Sequence, residues 1–598
     1  MQTATETQSI AGTKPARRKR IAMVHPKFPP SFWSFGFIKE IGGFKTVMPP
    51  LGLATLAALT PPEYDVVIVD ENIEDIDFNI DADIIAMSAM CIQEKRMFEV
   101  ADEFRRRGYL VCMGGPICNV LPERCRPHCD VLFEGEGEYN WKIFLEQHAQ
   151  GNHKDRYVQE EKIDMRDTPP PRVDLLKTGM YRLGCIQTTR GCPFSCEFCD
   201  IIVTYGRKVR AKPIENVIEE LERWAKAGVD FITIADDNLV GDRVYAKKML
   251  KAVGDWNRAR KVPMSFYIEM SVDACRDVEL LELLRWANVT EAFLGIETPR
   301  SASLKETKKF QNDATPLVDA IKIIQSYGMV TVAGMIVGFD NDDTGIFEDQ
   351  YKFLQESGIP IVMLGILQAI PRTPLYERLE KAGRLRSAAQ GNNTLSFTNV
   401  EPLKLTYEQL INGYRELFAR IYTWDAVGDR WLSNVRQWGA KRVVPKNVGK
   451  AGNRSPADDP TRKWLQKPLG RPKFHLILAS LMIFKYYFAG GKAKRNFALK
   501  MLWGTLKYAP SALLQTVNYL AYFIHLREYA DRVVAKDYKF DYALTDVNTQ
   551  KNKFGEGGSI NMVQLEKKKA TKINVNDAYA GAEVTSDVAE TLEPATAS

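Results

Sequence analysis

The sequence predicts an α/β protein in which two successive strand–helix repeats precede a helical C-terminal region. Three observations carry that reading. Short β-branched runs recur about 20 to 40 residues apart between residues 20 and 150, separated by amphipathic stretches. A second set of six such runs spans residues 181–391. Beyond residue 400 the apolar positions follow helical spacing. At 598 residues the chain is too long for one hydrophobic core. Its 45% hydrophobic and 26% charged residues are ordinary for a globular protein, and ten scattered cysteines do not make a disulfide scaffold. They read as reduced thiols of a cytoplasmic protein.

Residues 1–14 are polar and low in complexity, and the basic run 16–20 leads directly into Ile21-Ala-Met-Val24. That apolar stretch is too short for a signal-peptide core, so a disordered tail over 1–19 is expected to feed a first strand. Strands then follow at Arg20–Val24, Asp65–Val69, Asp83–Met87, Tyr109–Met113 and Asp130–Phe133, with a helix over Glu99–Arg107. This is the pattern of a doubly wound, Rossmann-like parallel sheet over 20–150. Ligands of such sheets lie beyond the strands' carboxyl ends, where the chain places Asp70, Asn72, Ser88 to Gln93, and Gly114-Gly115-Pro116. Pro169-Pro-Pro171 punctuates a polar connector over 151–180. The second repeat has strands at Gly184–Gln187, Phe231–Ala235, Ser265–Met270, Ala292–Ile296, Thr331–Val337 and Val362–Leu367. Pattern alone fits six repeats or a full eight-fold barrel over 181–395. A basic helical domain over 396–545 and a polar disordered tail over 546–598 complete the chain.

The most specific chemical signal is Cys192, Cys196 and Cys199 in Thr188-Thr-Arg-Gly-Cys-Pro-Phe-Ser-Cys-Glu-Phe-Cys-Asp200. Thiolates suit iron–sulfur clusters and zinc. Three ligands for a four-iron cluster leave one iron open, whereas zinc would need a fourth ligand, for which Cys185 is the near candidate. The barrel strands end in polar residues: Asp236, Asp237 and Asn238; Glu269 and Ser271; Glu297; and Gly338 with Asp340.

The C-x3-C-x2-C loop after a strand resembles the radical S-adenosylmethionine (SAM) superfamily, in which the open iron chelates the amino and carboxylate groups of SAM. That resemblance implies a [4Fe-4S] cluster and a partial (β/α)6 barrel. It places Asp236 and Asp237 near the SAM amino group, and Glu269 and Ser271 at the ribose. Glu297 is a further carboxylate for SAM, with Gly338 and Phe198 near the adenine. Pro49-Pro-Leu-Gly-Leu53, Val69-Asp-Glu-Asn72 and Gly114-Gly-Pro116 ahead of such a barrel resemble the cobalamin-dependent class. Asp70, Asn72, Ser88, Gln93, Gly114 and Gly115 would then line the cobalamin site, with the nucleotide tail reaching into the sheet. The Asp-x-His-x-x-Gly cobalt-ligating motif is absent from the sequence, and neither His25 nor His128 has its context, which implies cobalt without a lower histidine ligand. The domain could also be a nucleotide-binding or purely structural fold.

Within that class the chain is most similar to the group of hopanoid 2-methylases and bacteriochlorophyll ring methylases. It shares Pro26-Lys-Phe-Pro-Pro-Ser-Phe-Trp33, Arg207-Lys-Val-Arg210 and Gly295-Ile-Glu-Thr-Pro299. The resemblance implies transfer of a methyl group to an unactivated carbon of a large apolar substrate, with two SAM molecules per turnover. One would methylate Co(I) and the other supply a 5′-deoxyadenosyl radical. A low-potential donor such as flavodoxin or ferredoxin would reduce the cluster. Two alternatives remain: a radical cyclase or rearrangement enzyme of the same class, and a tRNA methylthiotransferase. The latter needs a second cysteine set, which Cys91, Cys112 and Cys118 do not match, and a C-terminal β-barrel.

Net charge is +6, yet residues 436–527 hold 18 Lys or Arg against Asp458 and Asp459, a local +16. Helix-spaced apolar runs at Phe474–Phe484 and Tyr508–His525 are interleaved with this charge. The combination suits either an element lying peripherally on an anionic inner-membrane surface or ordinary helices with a basic outer face. Nucleic acid is not expected, because the apolar runs have no role in binding it.

Overall fold

The computed structural model describes residues 18–439 apart from 37, 314 and 390, residues 474–535, and the short strands Lys539–Asp541 and Lys572–Asn574. The expected tail over 1–19 therefore falls almost wholly outside the described residues, as does the basic stretch 440–473. The polar tail, expected to be disordered from 546, contributes one strand, Lys572–Asn574, antiparallel to Lys539–Asp541.

The first sheet is all parallel: β1 (Lys19–His25), β2 (Tyr64–Asp70), β3 (Ile84–Ser88), β4 (Leu110–Gly114), β5 (Val131–Glu134) and β6 (Arg156–Val158), in spatial order 2-1-3-4-5-6. Both faces are covered, so the strands read as continuous apolar runs. Along β1 the side chains alternate between two cores. Ala22 and Val24 pack with Met97, Val100 and Phe104 of the helix Glu94–Arg106. Ile21 and Met23 pack with Leu53 and Ala57 of one helix and Trp141, Phe144 and Leu145 of another. Strand β6 lies inside the stretch expected to be a connector. Three residues, Arg156-Tyr-Val158, suffice because Leu132–Glu134 supplies the backbone partner and Tyr157 stacks on Phe133 at 5.2 Å.

The second sheet consists of β7 (Gly184–Ile186) followed, after a two-stranded ribbon of β8 (Thr189–Arg190) and β9 (Arg210–Ala211), by β10 (Phe231–Ile234), β11 (Ser265–Met270), β12 (Val289–Glu297), β13 (Val330–Val337) and β14 (Ile361–Ile366). Its order, 14-13-12-11-10-7, is sequential and parallel, which makes a six-stranded open barrel rather than a closed eight. Both edges are covered, as stable sheets require. At β7, Leu183 N donates to Val47 O at 2.9 Å. At β14, the Tyr422 hydroxyl meets Val362 N and O at 3.1 and 2.5 Å, and Ile366 N donates to Asn393 O at 2.9 Å.

The C-terminal region is helical: Tyr407–Ile421, Trp424–Gly439, Phe474–Phe488, Lys492–Tyr508 and Leu513–Ala535. Thr406 caps the first, accepting from Gln409 N at 3.1 Å while Gln409 Oε1 accepts from Thr406 N at 2.9 Å. The last helix is core, with Tyr519, Phe523, Ile524 and Tyr529 all buried. It holds the loop after β1: Phe35 meets Tyr522 edge-on at 4.9 Å, and the buried His525 Nε2 lies 2.9 Å from Phe32 O.

Candidate functional site

The three motif cysteines sit on the loop between β8 and β9, with Cys196 buried and Cys192 and Cys199 partly so. Burial pushes the thiols of Cys192 and Cys199 up. The loop is braced from several sides. Gly191 N donates to Asp237 Oδ2 at 2.7 Å, Glu197 N to Thr307 O at 3.1 Å, and Leu375 N to Glu197 O at 2.9 Å. The Glu197 carboxylate pairs with Arg378 at 2.6 Å. Cys185 does not join this loop. It lies buried in β7 among the charges of Glu220, Asp236 and Lys212. Among the described residues no three Cys, His, Asp or Glu side chains converge on a single ion. In a four-iron cluster each of the three thiolates takes its own iron, whereas zinc would need Cys185 as a fourth ligand, and Cys185 stands in β7 rather than on the loop.

The acids expected to contact SAM separate into two kinds. Asp236 is fully buried and accepts four hydrogen bonds, from Thr188 N (2.6 Å), Thr188 Oγ1 (2.5 Å), Thr189 N (3.0 Å) and Thr189 Oγ1 (2.8 Å). Asp236, expected near the SAM amino group, is held by these four donors and fixes the approach to the cysteine loop. Burial still raises its carboxyl, against those bonds. Asp237 grips Gly191 with one oxygen, and burial pushes it up to about 6. Glu297 is likewise engaged, by Lys309 Nζ at 2.6 Å, at a bulge where its own φ is +64°. Glu269 differs. Its carbonyl accepts from Leu239 N at 3.0 Å, but its carboxylate makes no hydrogen bond or ion pair among the described residues, and although solvent-accessible it is densely surrounded, as a side chain lining the barrel interior must be. Burial, then Asp237 and Asp236, push it up to about 7. Ser271 joins the same edge through Asn238, its N donating to Asn238 Oδ1 at 3.1 Å. Phe198 packs beside Phe339 at 6.1 Å, and Gly338, at φ +103°, lets Leu410 approach to within 3.1 Å of where a Cβ would stand.

At the first sheet, three of the residues expected to contact cobalamin are likewise engaged within the protein. Asp70 accepts from Asn72 N (2.9 Å), Asn72 Nδ2 (2.7 Å) and Tyr181 OH (3.0 Å). Asn72 Oδ1 accepts from Phe28 N at 2.9 Å, and Gln93 Nε2 donates to Pro26 O at 2.5 Å. All three are buried and hold the loop after β1. Ser88, Gly114 and Gly115, in contrast, line a cavity of about 170 Å³ at the carboxyl ends of β3 to β5, walled by Leu53, Leu56 and Trp141. Gly115 sits at φ +89°, and a Cβ there would stand 2.4 Å from Ser88 Oγ. His25 Nδ1 lies 3.1 Å from Ser88 O, and His128 stacks on Phe98 beside Asp102.

The cavity wall and the cysteine loop are clasped together. Arg190, two residues before Cys192, pairs with Glu136 at 2.8 Å and Glu138 at 2.7 Å, both buried beside the cavity, and its Nε donates to Gln187 Oε1 at 2.8 Å. Arg210 adds a second bond to Glu136 at 2.9 Å. Burial lowers the Arg190 guanidinium, but Glu138, Tyr205 and Glu136 outweigh it and hold the charge firmly. Sequence reasoning passed over Arg190, although it stands inside the cysteine motif. It also passed over Lys309 and Gln311, more than a hundred residues away, which no local pattern marks.

A parallel open barrel carrying three cysteines on the loop after its first strand defines a radical SAM enzyme. The Radical SAM superfamily model matches residues 186–354, and a domain of unknown function, DUF4070, matches 373–538. An uncharacterized methyltransferase of Synechocystis is 36% identical over 408 residues, covering 67% of this chain and 76% of the relative. The hopanoid C-2 methylase of Rhodopseudomonas palustris is 32% identical over 444 residues, covering 72% and 82%. Among solved structures the cobalamin-dependent SAM radical enzyme OxsB has the same fold, with a TM-score of 0.55 at 16% identity over 87% of this chain and 80% of that one. The chain belongs to the radical SAM methyltransferase family that includes these two relatives.

Proposed function

We propose that this enzyme transfers a methyl group from SAM to an unactivated carbon of a large apolar substrate, a hopanoid-type lipid or a tetrapyrrole pigment. Cys192, Cys196 and Cys199 would hold a [4Fe-4S] cluster whose open iron takes SAM. Glu269 is the free carboxylate for the cationic part of SAM, with Ser271, Phe198 and Gly338 along the same edge. The cavity at Ser88, Gly114 and Gly115 would take the nucleotide tail of cobalamin, with neither His25 nor His128 as its lower ligand. When bound, the cluster would supply the electron that splits SAM into methionine and its radical and cobalamin would carry the methyl group, while Arg190, Glu136 and Glu138 hold the two sites together. The observation that carries this reading is the Arg190 clasp, which fixes the cysteine loop against the cavity wall. Enzyme reconstituted anaerobically with iron, sulfide and hydroxocobalamin, and given flavodoxin or ferredoxin as reductant, tests it. With a lipid and pigment extract of a deletion strain it should yield a product one methylene heavier, together with S-adenosylhomocysteine and 5′-deoxyadenosine. A product of unchanged carbon count would indicate rearrangement instead.

An anionic membrane surface is the proposed place of action. Among the described residues no helix is long and apolar enough to cross a membrane. Yet Leu481, Phe484, Leu499, Trp503, Leu506 and Leu514 are exposed, Trp503 at 72%. The same stretch carries Lys485, Lys492, Lys494, Arg495, Lys500 and Lys507 and no acid. Each basic residue near anionic lipid contributes roughly 1 kcal/mol. The enzyme should co-sediment with anionic vesicles at low salt, release as salt rises, and lose binding in the triple variant Lys492→Gln, Lys494→Gln, Arg495→Gln. Indifference of the wild type to such vesicles would remove this reading.

A further inference from the structure

We infer that Lys309 and Gln311, which lie outside the cysteine motif, set the reduction potential of the cluster that Cys192, Cys196 and Cys199 hold. The inference rests on that assignment of the cluster. The segment Thr307–Gln311 runs alongside the cysteine loop and touches it at two points. Thr307 O accepts from the amide of Glu197, the residue after Cys196. Gln311 Nε2 then donates to Cys196 Sγ at 3.5 Å. Between these contacts the Lys309 side chain is buried, with its ammonium 2.6 Å from Glu297 Oε1 and 5.7 Å from the centre of the Phe198 ring. The ammonium and the Glu297 carboxylate form an ion pair beside the cysteine loop. The approach is close: a Cβ on Gly295 would stand 2.8 Å from Lys309 Nζ and 2.9 Å from Glu297 Oε1. Two non-glycine residues here, Lys308 at φ +57° and Glu297 at φ +64°, take left-handed backbone conformations, which cost free energy and persist only where the surroundings enforce them.

The physical consequence follows from charge. Reducing the cluster adds one electron from the low-potential donor and breaks no bond. The extra negative charge spreads over iron, sulfide and thiolates, and hydrogen bonds to the sulfurs and nearby net charge set the potential. An N–H aimed at Cys196 Sγ and a buried ammonium both stabilise the reduced state, more strongly in a low-dielectric site than in water. Glu297 works against them. Packing alone would not require a polar side chain aimed at sulfur at Gln311, since leucine fills similar space. Lys309 and Gln311 act through the cysteines, so they are positioning residues in this reaction.

The test is the midpoint potential, read by following the reduced-cluster electron paramagnetic resonance signal during an anaerobic redox titration of the full-length reconstituted enzyme. Gln311→Leu should cut the reduced-to-oxidised ratio about tenfold at a fixed poise, a shift of about 59 mV to more negative potential for one electron. Lys309→Met should shift it in the same direction. Glu297→Gln, which leaves the ammonium uncompensated, should shift it the opposite way. A purely structural segment would not produce opposite signs from the two halves of one ion pair. Shifts of the same sign for Lys309→Met and Glu297→Gln overturn the inference, as does an unchanged midpoint in all three variants with iron content intact. Loss of iron from Gln311→Leu also overturns it, because the amide would then be an anchor for the loop. A wild type that holds no iron and gives no reducible signal refutes the cluster assignment itself, which is a separate outcome.

Discussion

The carboxyl edges of the two parallel sheets solve the same problem with different materials. At the first, the acid and amides after β2 and β3 are engaged within the protein: Asp70 by Asn72 and Tyr181, Asn72 by Phe28, and Gln93 by Pro26. What lines the cavity is glycine, Ser88, apolar side chains and the mutually paired charges of Glu136, Glu138 and Arg190. At the second, Asp236 and Asp237 are consumed by the approach to the cysteine loop, while Glu269 is left unpaired in the barrel. One edge presents glycine, a hydroxyl and charges already paired with one another, and the other an unpaired carboxylate suited to a cation. A polar residue at a strand end is therefore scaffold or site according to whether the protein has already satisfied it.

The sharpest way to break this comparison is at the cysteines. Cys192→Ala, Cys196→Ala and Cys199→Ala should each abolish SAM cleavage and cluster assembly, while Cys185→Ala keeps about four irons per chain. Equal iron loss in Cys185→Ala would return the site to four-thiolate ligation. Next in size, Asp236→Ala should lower stability by about 3 kcal/mol in chemical denaturation, because it orphans buried donors of Thr188 and Thr189. Glu269→Gln should leave the denaturation midpoint at neutral pH near the wild-type value or slightly higher, yet weaken SAM binding about tenfold by calorimetry, or about 1.4 kcal/mol.

The same residue predicts opposite pH trends for stability and binding. Glu269 has the ordinary carboxyl pKa of 4.5 when unfolded and is pushed up to about 7 when folded, with Tyr267, Asp236 and Asp237 as its charged or titratable neighbours. The folded state therefore holds the additional proton between those values, so stability falls as pH rises through that window. SAM affinity rises over the same window as the carboxylate ionises. Glu220 and Glu291, also pushed up to about 7 by burial, add to the stability slope. Glu269→Gln should thus flatten the binding profile and only reduce the stability slope. The smallest effects lie at the first sheet. Gly114→Val should reduce cobalamin retention on gel filtration with little change in melting temperature. Asn72→Ala should cost about 1 kcal/mol of stability and leave retention unchanged; the reverse pattern would make Asn72 a ligand contact.

Much of the fold was legible because both sheets are buried on two faces, so their strands appear as uninterrupted apolar runs with most boundaries a residue or two from those observed, though the strand expected from Ala292 begins three residues earlier, at Val289. Strand β6 escaped notice because Arg156-Tyr-Val158 is too short to show a period and is made a strand by its neighbour β5. The six-fold count of the barrel could not be read from pattern, since it depends on Tyr422 and Asn393 closing an edge from distant sequence. The cysteine loop was legible because its ligands are contiguous. Asp236 and Glu269 looked alike in sequence and differ only in what the fold brings to them. Lys309 and Gln311 were illegible because a polar residue in a short connecting segment carries no mark of what it will face.

The hydrogen bond between Phe32 and His525 joins residues 493 positions apart. During synthesis at ordinary rates, the aromatic loop at residues 32–35 leaves the ribosome on the order of a minute before the helix that covers it. For that interval Phe32, Trp33 and Phe35 have no native partner from the C-terminal helix. The nascent chain must keep them from neighbouring chains by transient self-burial or a holdase. Shortening the chain before Leu513 would make that exposure permanent.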